Sequence, residues 1–169
     1  SLDRAALGCQ NLPFAFVRAT FRRCTVFGSV AAHAIDLAED SLFMGPVTVA
    51  RRQVGCMRFC YAPPGSRTPK RFHCQPDLSV QALGSAPDPS DVLIAQGGAL
   101  PRFTSLRYGT PAYGQLSNAC PEGIRTGAQD QSEMGAFHDL YQPQRAAHLQ
   151  GRLEEFTPAG MEAGILFVN

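Results

Sequence analysis

The stretch "RRCTVFGSVAAHAIDLAEDSLFMGPVTV", residues 22–49, sets two strings side by side. In each, a small polar residue and a hydrophobe precede Phe, and Gly follows. Phe27, Phe43 and Phe59 are sixteen residues apart; Thr25, Ser41 and Met57 lie two places before them, and Cys24, Asp40 and Cys56 three. Phe21 matches Leu37, and after a one-residue insertion Gly28-Ser29-Val30 answers Gly45-Pro46-Val47. Self-similarity at a short period, rich in Val, Phe and Ile with Gly at corners, marks a solenoid whose coils stack strand on strand. Residues 17–62 are therefore read as coils of a parallel β-helix, about 4.8 Å apart, with the three Phe rings as a core ladder. The competing reading is an antiparallel meander.

The wider composition agrees with a β-rich domain. The chain has 169 residues, enough for one unit with a core, and only 17% are charged, against a usual quarter. Gly and Pro are frequent, at 16 and 13 residues, which suits many short strands and turns. The formal charge of +1 gives no global pull toward nucleic acid or membrane. Its distribution is uneven: Arg51, Arg52, Arg58, Arg67, Lys70 and Arg71 fall in an acid-free stretch, whereas residues 129–163 carry six acids against Arg145 and Arg152. No run reaches the roughly 20 apolar residues of a membrane span, and the opening lacks the pattern of a signal peptide. The expectation is a soluble chain, cytoplasmic before any export in an assembly. Without an initiator Met, its start is read as a cut point in a longer protein.

Three regions are expected. Residues 1–62 form the β-helix coils. Residues 63–128, opening with the Pro-rich "APPGSRTPKRFHCQPD", are loops and short strands covering the solenoid, with Phe72 and Cys74 pinning the loop to the coil. Residues 129–169 form a helical cap and a terminal strand. There, "SEMGAFHDLY" is a short helix candidate capped by Ser132, and "PQRAAHLQGRLEEF" is a helix with Pro143 at its start and Leu149, Leu153 and Phe156 in one stripe. "GILFVN" is expected to be a buried strand on the coil's flank. The fold class is thus mainly β, a right-handed parallel β-helix with a loop-rich and short-helical C-terminal cap.

At "RRCTVFGSVAAHAIDLAEDSLFMGPVTVARRQVGCMRFCYAPPGSRTPKRFHCQPDL", with "PRFTSLRYGTPAYGQLS" and "GAQDQSEMGAFHDLYQPQRAAHLQGRLEEFTPAGMEAGILFV" following, the chain resembles the C-terminal part of an uncharacterised family of long bacterial β-helix proteins. The family is often found among phage-tail-like or contractile-injection genes. The resemblance implies a right-handed β-helix with further coils upstream, and it brings no catalytic residues to transfer.

The chemistry-bearing residues are weighed one group at a time. Cys56 and Cys60, four apart on a strand, are separated by about 13 Å and cannot bond to each other. Cys60 and Cys74 could meet if the loop doubles back. A zinc site from Cys56, Cys60, His73 and Cys74 lacks paired C-x2-C spacing, and Cys24 and Cys56 read as small core-facing residues. No metal or cofactor is expected. The basic run Arg51–Arg71 offers a binding surface for an anionic polymer, or a solvated face paired with the acidic tail; nucleic acid is disfavoured because Phe59 is assigned to the core. Asp36, Glu39 and Asp40 share a rung, Asp36 and Asp40 on one face, and are the candidates for acid–base catalysis on a polysaccharide. Their other reading is an outward ladder of Arg against carboxylate from coil to coil, each pair worth under about 1 kcal/mol. His138, Asp139 and His148 are assigned to polar helix faces. The leading functional expectation is a non-enzymatic structural or binding module, a rigid rod end in a tail-like or surface assembly. The alternatives are a polysaccharide lyase or hydrolase and a self-assembling solenoid. The partner is a protein or a second copy at the open end of the coil, or a polysaccharide.

Overall fold

The computed structural model describes residues 4–9 and 12–166. Its centre is a parallel β-solenoid. The strands are β1 (Ala5–Leu7), β2 (Ala15–Arg22), β3 (Thr25–Val26), β4 (Ser29–Glu39), β5 (Leu42–Phe43), β6 (Val47–Val49), β7 (Cys56–Arg58) and β8 (Lys70–Phe72). Every pairing between them is parallel. The long β4 carries β1 and β2 on one edge and β6 and β7 on the other, and β8 follows β7. A second, shorter face pairs β3 with β5 and continues through single bridges at Tyr61 and Gln75. The chain thus winds through about three turns, stepping from Arg22 to Glu39, Arg58 and Phe72.

The register is fixed by strand pairs, and it differs from a uniform sixteen. Arg22 pairs with Glu39, Glu39 with Arg58 and Arg58 with Phe72, so the coils are 17, 19 and 14 residues long at this face. The expected Phe ladder does not form. Phe43 is buried and meets Phe21 edge-on at 5.2 Å, Phe27 packs against Phe103 and Tyr113 on the flank, and Phe59 turns out toward Phe72 and His73. The columns that do stack exchange volume from coil to coil: Phe21 lies over Ala38 and Met57, and Val26 over Phe43. The Gly28–Gly45 and Val30–Val47 alignment holds, because the coils touch backbone to backbone there; a Cβ on Gly45 would sit 2.4 Å from the carbonyl of Gly28.

One corner repeats without variation in backbone. Arg23, Asp40, Phe59 and His73 occupy equivalent positions, and all have φ between 47° and 50°, the left-handed region that non-glycine residues seldom adopt. Each is followed by a small thiol or hydroxyl: Cys24, Ser41, Cys60 and Cys74. These inward side chains bond to backbone and to each other. Ser41 Oγ accepts the N–H of Cys24 and donates to the Glu39 carbonyl, while the thiols of Cys60 and Cys74 donate to the carbonyls of Arg58 and Phe72, two residues back. The left-handed residue turns the chain, and the small residue after it fills the narrow core beneath the turn.

The coils run past residue 62, the boundary expected from the prolines. Pro69 stands just before β8, where a missing N–H costs no ladder bond, and Gln75 still bonds back to Cys60. Beyond, α1 (Asp77–Gln81) follows the last coil and is tied to it by two local contacts: Ser79 donates to Gln75 at 2.8 Å and Asp77 takes Arg71 at 3.0 Å. The segment read as loops contains α2 (Pro89–Gly98), with Asp88 before it and Pro at its first position, a helix-start signal that the sequence reading missed. Residues 100–140 then cover the short face, where Leu42 and Tyr61 pack with Leu116, Cys120, Ile124 and Met134. Within them lies α3 (Glu122–Arg125).

The C-terminal expectations divide. The helix α4 (Gln142–Phe156) is present with Pro143 in its first turn, yet it buries no residue and Phe156 is 75% exposed. "SEMGAFHDLY" is not an α-helix. Ser132 bonds through both its amide and hydroxyl to Asp130, holding a turn instead of a cap, and only His138–Leu140 winds, as a 3-10 turn. The described part of "GILFVN" forms no strand and leaves Leu166 exposed; residues 167–169 lie outside the described residues. Among the described residues, no helix is long and apolar enough to cross a membrane.

Candidate functional site

Asp36, Glu39 and Asp40 do not converge. The inward residues of β4 are Val30, Ala32, Ile35 and Ala38, because the strand bends where the pairing shifts register between Ala19–Ile35 and Thr20–Leu37. The bend places Asp36 and Glu39 outward together, whereas strict alternation opposed Glu39 to Asp36. Asp36 is held by Arg18 at 2.7 Å. Glu39 is gripped from both sides, by Arg22 at 3.1 Å from the coil before and by Arg58 at 2.6 Å from the coil after. A ladder of Arg against carboxylate is therefore present on this face. The hydrogen bond to Glu39 holds the Arg58 guanidinium above its ordinary pKa, and the bond to Asp36 does the same for Arg18.

Asp40 leaves that face at the left-handed corner and turns toward the covering segment. Its Oδ1 accepts the N–H of Gln129 at 3.0 Å, and its carbonyl accepts that of Gly135 at 2.8 Å. His138, expected on a polar helix face, is buried there instead. Its Nε2 lies 3.2 Å from Asp130 and 3.7 Å from Asp40, with hydrogen-bond geometry to neither, and its Nδ1 lies 3.3 Å from Asp139. Asp139 in turn pairs with Arg23 at 2.8 Å. Partial burial pushes the Asp130 carboxyl up, but the hydrogen bonds from Ser132 and the charge of His138 outweigh it and hold the group below its ordinary range. This cluster ties the covering loop to the coil, and residue spacing carried no sign of it.

The cysteine and histidine candidates also separate. Cys60 and Cys74 are neighbours on adjacent coils, both free and buried, so the coil brings together the pair that could meet if the loop doubled back. Burial raises both thiols above their ordinary range. Cys56 faces outward, since its neighbour Met57 fills the core, and His73 packs at a tilt against Phe72, centroids 4.3 Å apart, outside the coil. Among the described residues, no group of three or more His, Cys, Asp or Glu side chains is placed to hold a metal ion.

The six basic candidates are spread over the outside of the later coils, with Arg52 common to two clefts. Arg58 belongs to the ladder with Glu39, while Arg52, Lys70 and Arg71 line a cleft of about 450 Å³ beside Asp77 and Gln96. Arg51 lies beside Arg52 in a separate cleft, and Arg67 is exposed. Phe59, assigned to the core in the sequence reading, is half-buried with Phe72 and His73 on the outside, so a core position no longer removes it from an exposed aromatic surface.

The feature that stands out is the contrast between the two ends of the coil. In the last coil Thr68, Cys74 and Gln75 are buried. In the first coil every described residue but Gly28 is half or fully exposed, including the inward Ala19, Phe21, Cys24 and Val26. Among the described residues β2 pairs with β4 alone, β3 with β5 alone and β8 with β7 alone, so the far edge of each carries no strand and the two ends differ in burial, not in pairing. Phe16, 82% exposed, and Val17 sit on the β2 edge. Open strand edges are templates for further pairing.

A scan of family models and searches of curated proteins and of solved structures return no match to this chain.

Proposed function

We propose that this chain is a non-enzymatic structural and binding module: the closed end of a β-solenoid, whose first coil is the joining surface. The observation that carries this reading is the asymmetry of the coil, with Thr68, Cys74 and Gln75 buried at one end and the inward Ala19, Phe21, Cys24 and Val26 half-exposed at the other. Terminal coils of a solenoid need capping, and an exposed strand edge is a template for pairing. A right-handed winding and a place in a tail-like or surface assembly accompany this reading through the family resemblance.

The engagement of the carboxylates supports it over polysaccharide chemistry. Acid and base must face one substrate, and here Asp36 and Glu39 are tied up by arginines while Asp40 is committed to the covering loop. The test is a screen of acidic and neutral polysaccharides for new reducing or unsaturated ends. No turnover is expected. Turnover abolished by Glu39→Gln or Asp36→Asn, with the fold intact by circular dichroism, would replace this reading with the enzyme.

A further inference from the structure

We propose that the cleft lined by Arg52, Lys70 and Arg71 on the last turn of the solenoid binds the acidic groups of a linear polysaccharide. The proposal deepens the binding half of the reading above, and it rests on the glycan being held without being cut.

The charge in this region is one-sided. Between Asp40 and Asp77 the chain has six cations and no acid. Two of the six are answered across space, Arg58 by Glu39 and Arg71 by Asp77. Arg51, Arg52, Arg67 and Lys70 enter no ion pair among the described residues, whereas Arg18, Arg22 and Arg23 on the earlier coil are each paired. All four unpaired cations are exposed. Like charges gathered on one side of a surface raise the local concentration of anions there.

The cleft is arranged to hold one. Its volume of about 450 Å³ is within the range of a small-ligand site, and three cations line it against one carboxylate. That carboxylate, Asp77, is engaged by Arg71 Nη1 at 3.0 Å, while Arg71 Nε donates to Thr68 Oγ1 at 2.8 Å, so a half-buried guanidinium is fixed in the cleft. Arg52 donates through Nε to the Thr68 carbonyl at 3.4 Å, which leaves both its terminal amino groups for a ligand. The neutral lining suits sugar hydroxyls: Ser66 Oγ accepts the Val47 N–H at 3.2 Å and keeps its own proton to donate, and Gln96 offers both a donor and an acceptor. Among the described residues no aromatic ring lines the cleft, so a nucleic-acid base has nothing there to stack on. Arg52 also lines the neighbouring cleft with Arg51, so acidic groups repeated along one chain meet cations in both.

A fluorescein-labelled oligogalacturonate is titrated into the full chain at low ionic strength, beside labelled heparin and dextran fragments of similar length and a single-stranded DNA. Anisotropy is expected to show the galacturonate or the heparin fragment binding, more weakly as salt rises, and neutral dextran not binding. Whichever acidic glycan binds tighter assigns carboxylate or sulfate as the group recognised. Arg52→Ala/Lys70→Ala, altered at exposed side chains, is expected to weaken that binding about ten-fold, while Arg107→Ala/Arg145→Ala, at two exposed arginines outside the cleft, changes it less than about two-fold. Equal losses in the two variants would reduce the binding to diffuse charge and overturn the proposal. No binding of either acidic glycan would overturn it and leave the structural module standing. Tighter binding of the DNA, lost in the Arg52→Ala/Lys70→Ala variant, would put a nucleic acid in the cleft and overturn the glycan. Shortening of the bound glycan on incubation would overturn the non-enzymatic reading and keep the cleft as the place where the glycan is held.

Discussion

Asp40 and Gln129, far apart in the chain, are joined by a 3.0 Å hydrogen bond from the Gln129 amide to the Asp40 carboxylate. The bond works because Asp40 sits at φ 47°, a conformation that Asp and Asn tolerate through their short polar side chains. Asp40→Ala deletes the acceptor and leaves the amide of the covering loop without its partner, at a cost of about 2 kcal/mol in urea unfolding. Asp40→Asn keeps an oxygen in place and suits the same φ, so it is expected to lose less than half as much. Equal losses in the two variants would mean that the carboxylate oxygen is not what holds the loop.

Backbone contact between coils makes Gly45 one of the solenoid residues hardest to replace. An alanine there would set its new Cβ 2.4 Å from the Gly28 backbone, and backbone cannot rotate aside as a side chain can. Gly45→Ala is expected to cost about 3 kcal/mol or to prevent folding. Gly65→Ala is the control: φ is 79° there but nothing lies within 4 Å of the added methyl, so only the backbone strain of about 1 kcal/mol remains. Chemical denaturation of the pair separates packing from strain.

The contrast between Gly45 and the phenylalanines explains what was legible. Gly28 and Gly45 could be aligned by eye because a coil-to-coil backbone contact admits no other residue. Phe27, Phe43 and Phe59 could not, because a stacked core is filled by total volume, and Phe21 over Ala38 over Met57 fills it as well as a row of identical rings. The coils also differ in length, with the extra residues held in loops, so a fixed period slips out of register within one turn. A better marker was in the sequence: Cys24, Ser41, Cys60 and Cys74, each after the residue that turns the corner. As for the candidate site, the Arg-against-carboxylate ladder was legible from charge alternation. The positions of His138 and Glu133 were not, since their burial comes from a loop that carries no periodic pattern.

That thiol column yields a labelling prediction. Cys60 and Cys74 are buried with raised pKa values, whereas Cys9 is exposed. Thiolate is the reactive form, so an aromatic disulfide reagent at neutral pH is expected to label Cys9 at once and Cys60 and Cys74 only on unfolding. Cys60→Ser is expected to cost no more than about 1 kcal/mol, because Ser41 already occupies the same column one coil earlier. Cys60→Leu should cost several times more by overfilling it. Labelling of Cys60 at the rate of Cys9 would show that the column is open to solvent.

Glu133 links the covering loop to pH. Its side chain is buried, one carboxylate oxygen has no hydrogen-bond partner, and burial raises its pKa from 4.5 to about 7 against the opposing pull of Arg125. The folded state therefore holds this proton more tightly than the unfolded chain does. Its contribution to stability is complete below about 4.5 and is lost as pH rises through about 7. Wild-type stability is expected to fall across that window relative to Glu133→Gln, whose amide does not titrate and is neutral throughout. Urea midpoints of both proteins at about pH 5 and pH 8 measure the difference, and the common slopes of all other groups cancel in it. Parallel declines in the two proteins would assign the titration to a group other than Glu133; convergence at low pH and separation at high pH would place it in the loop that Asp40 anchors.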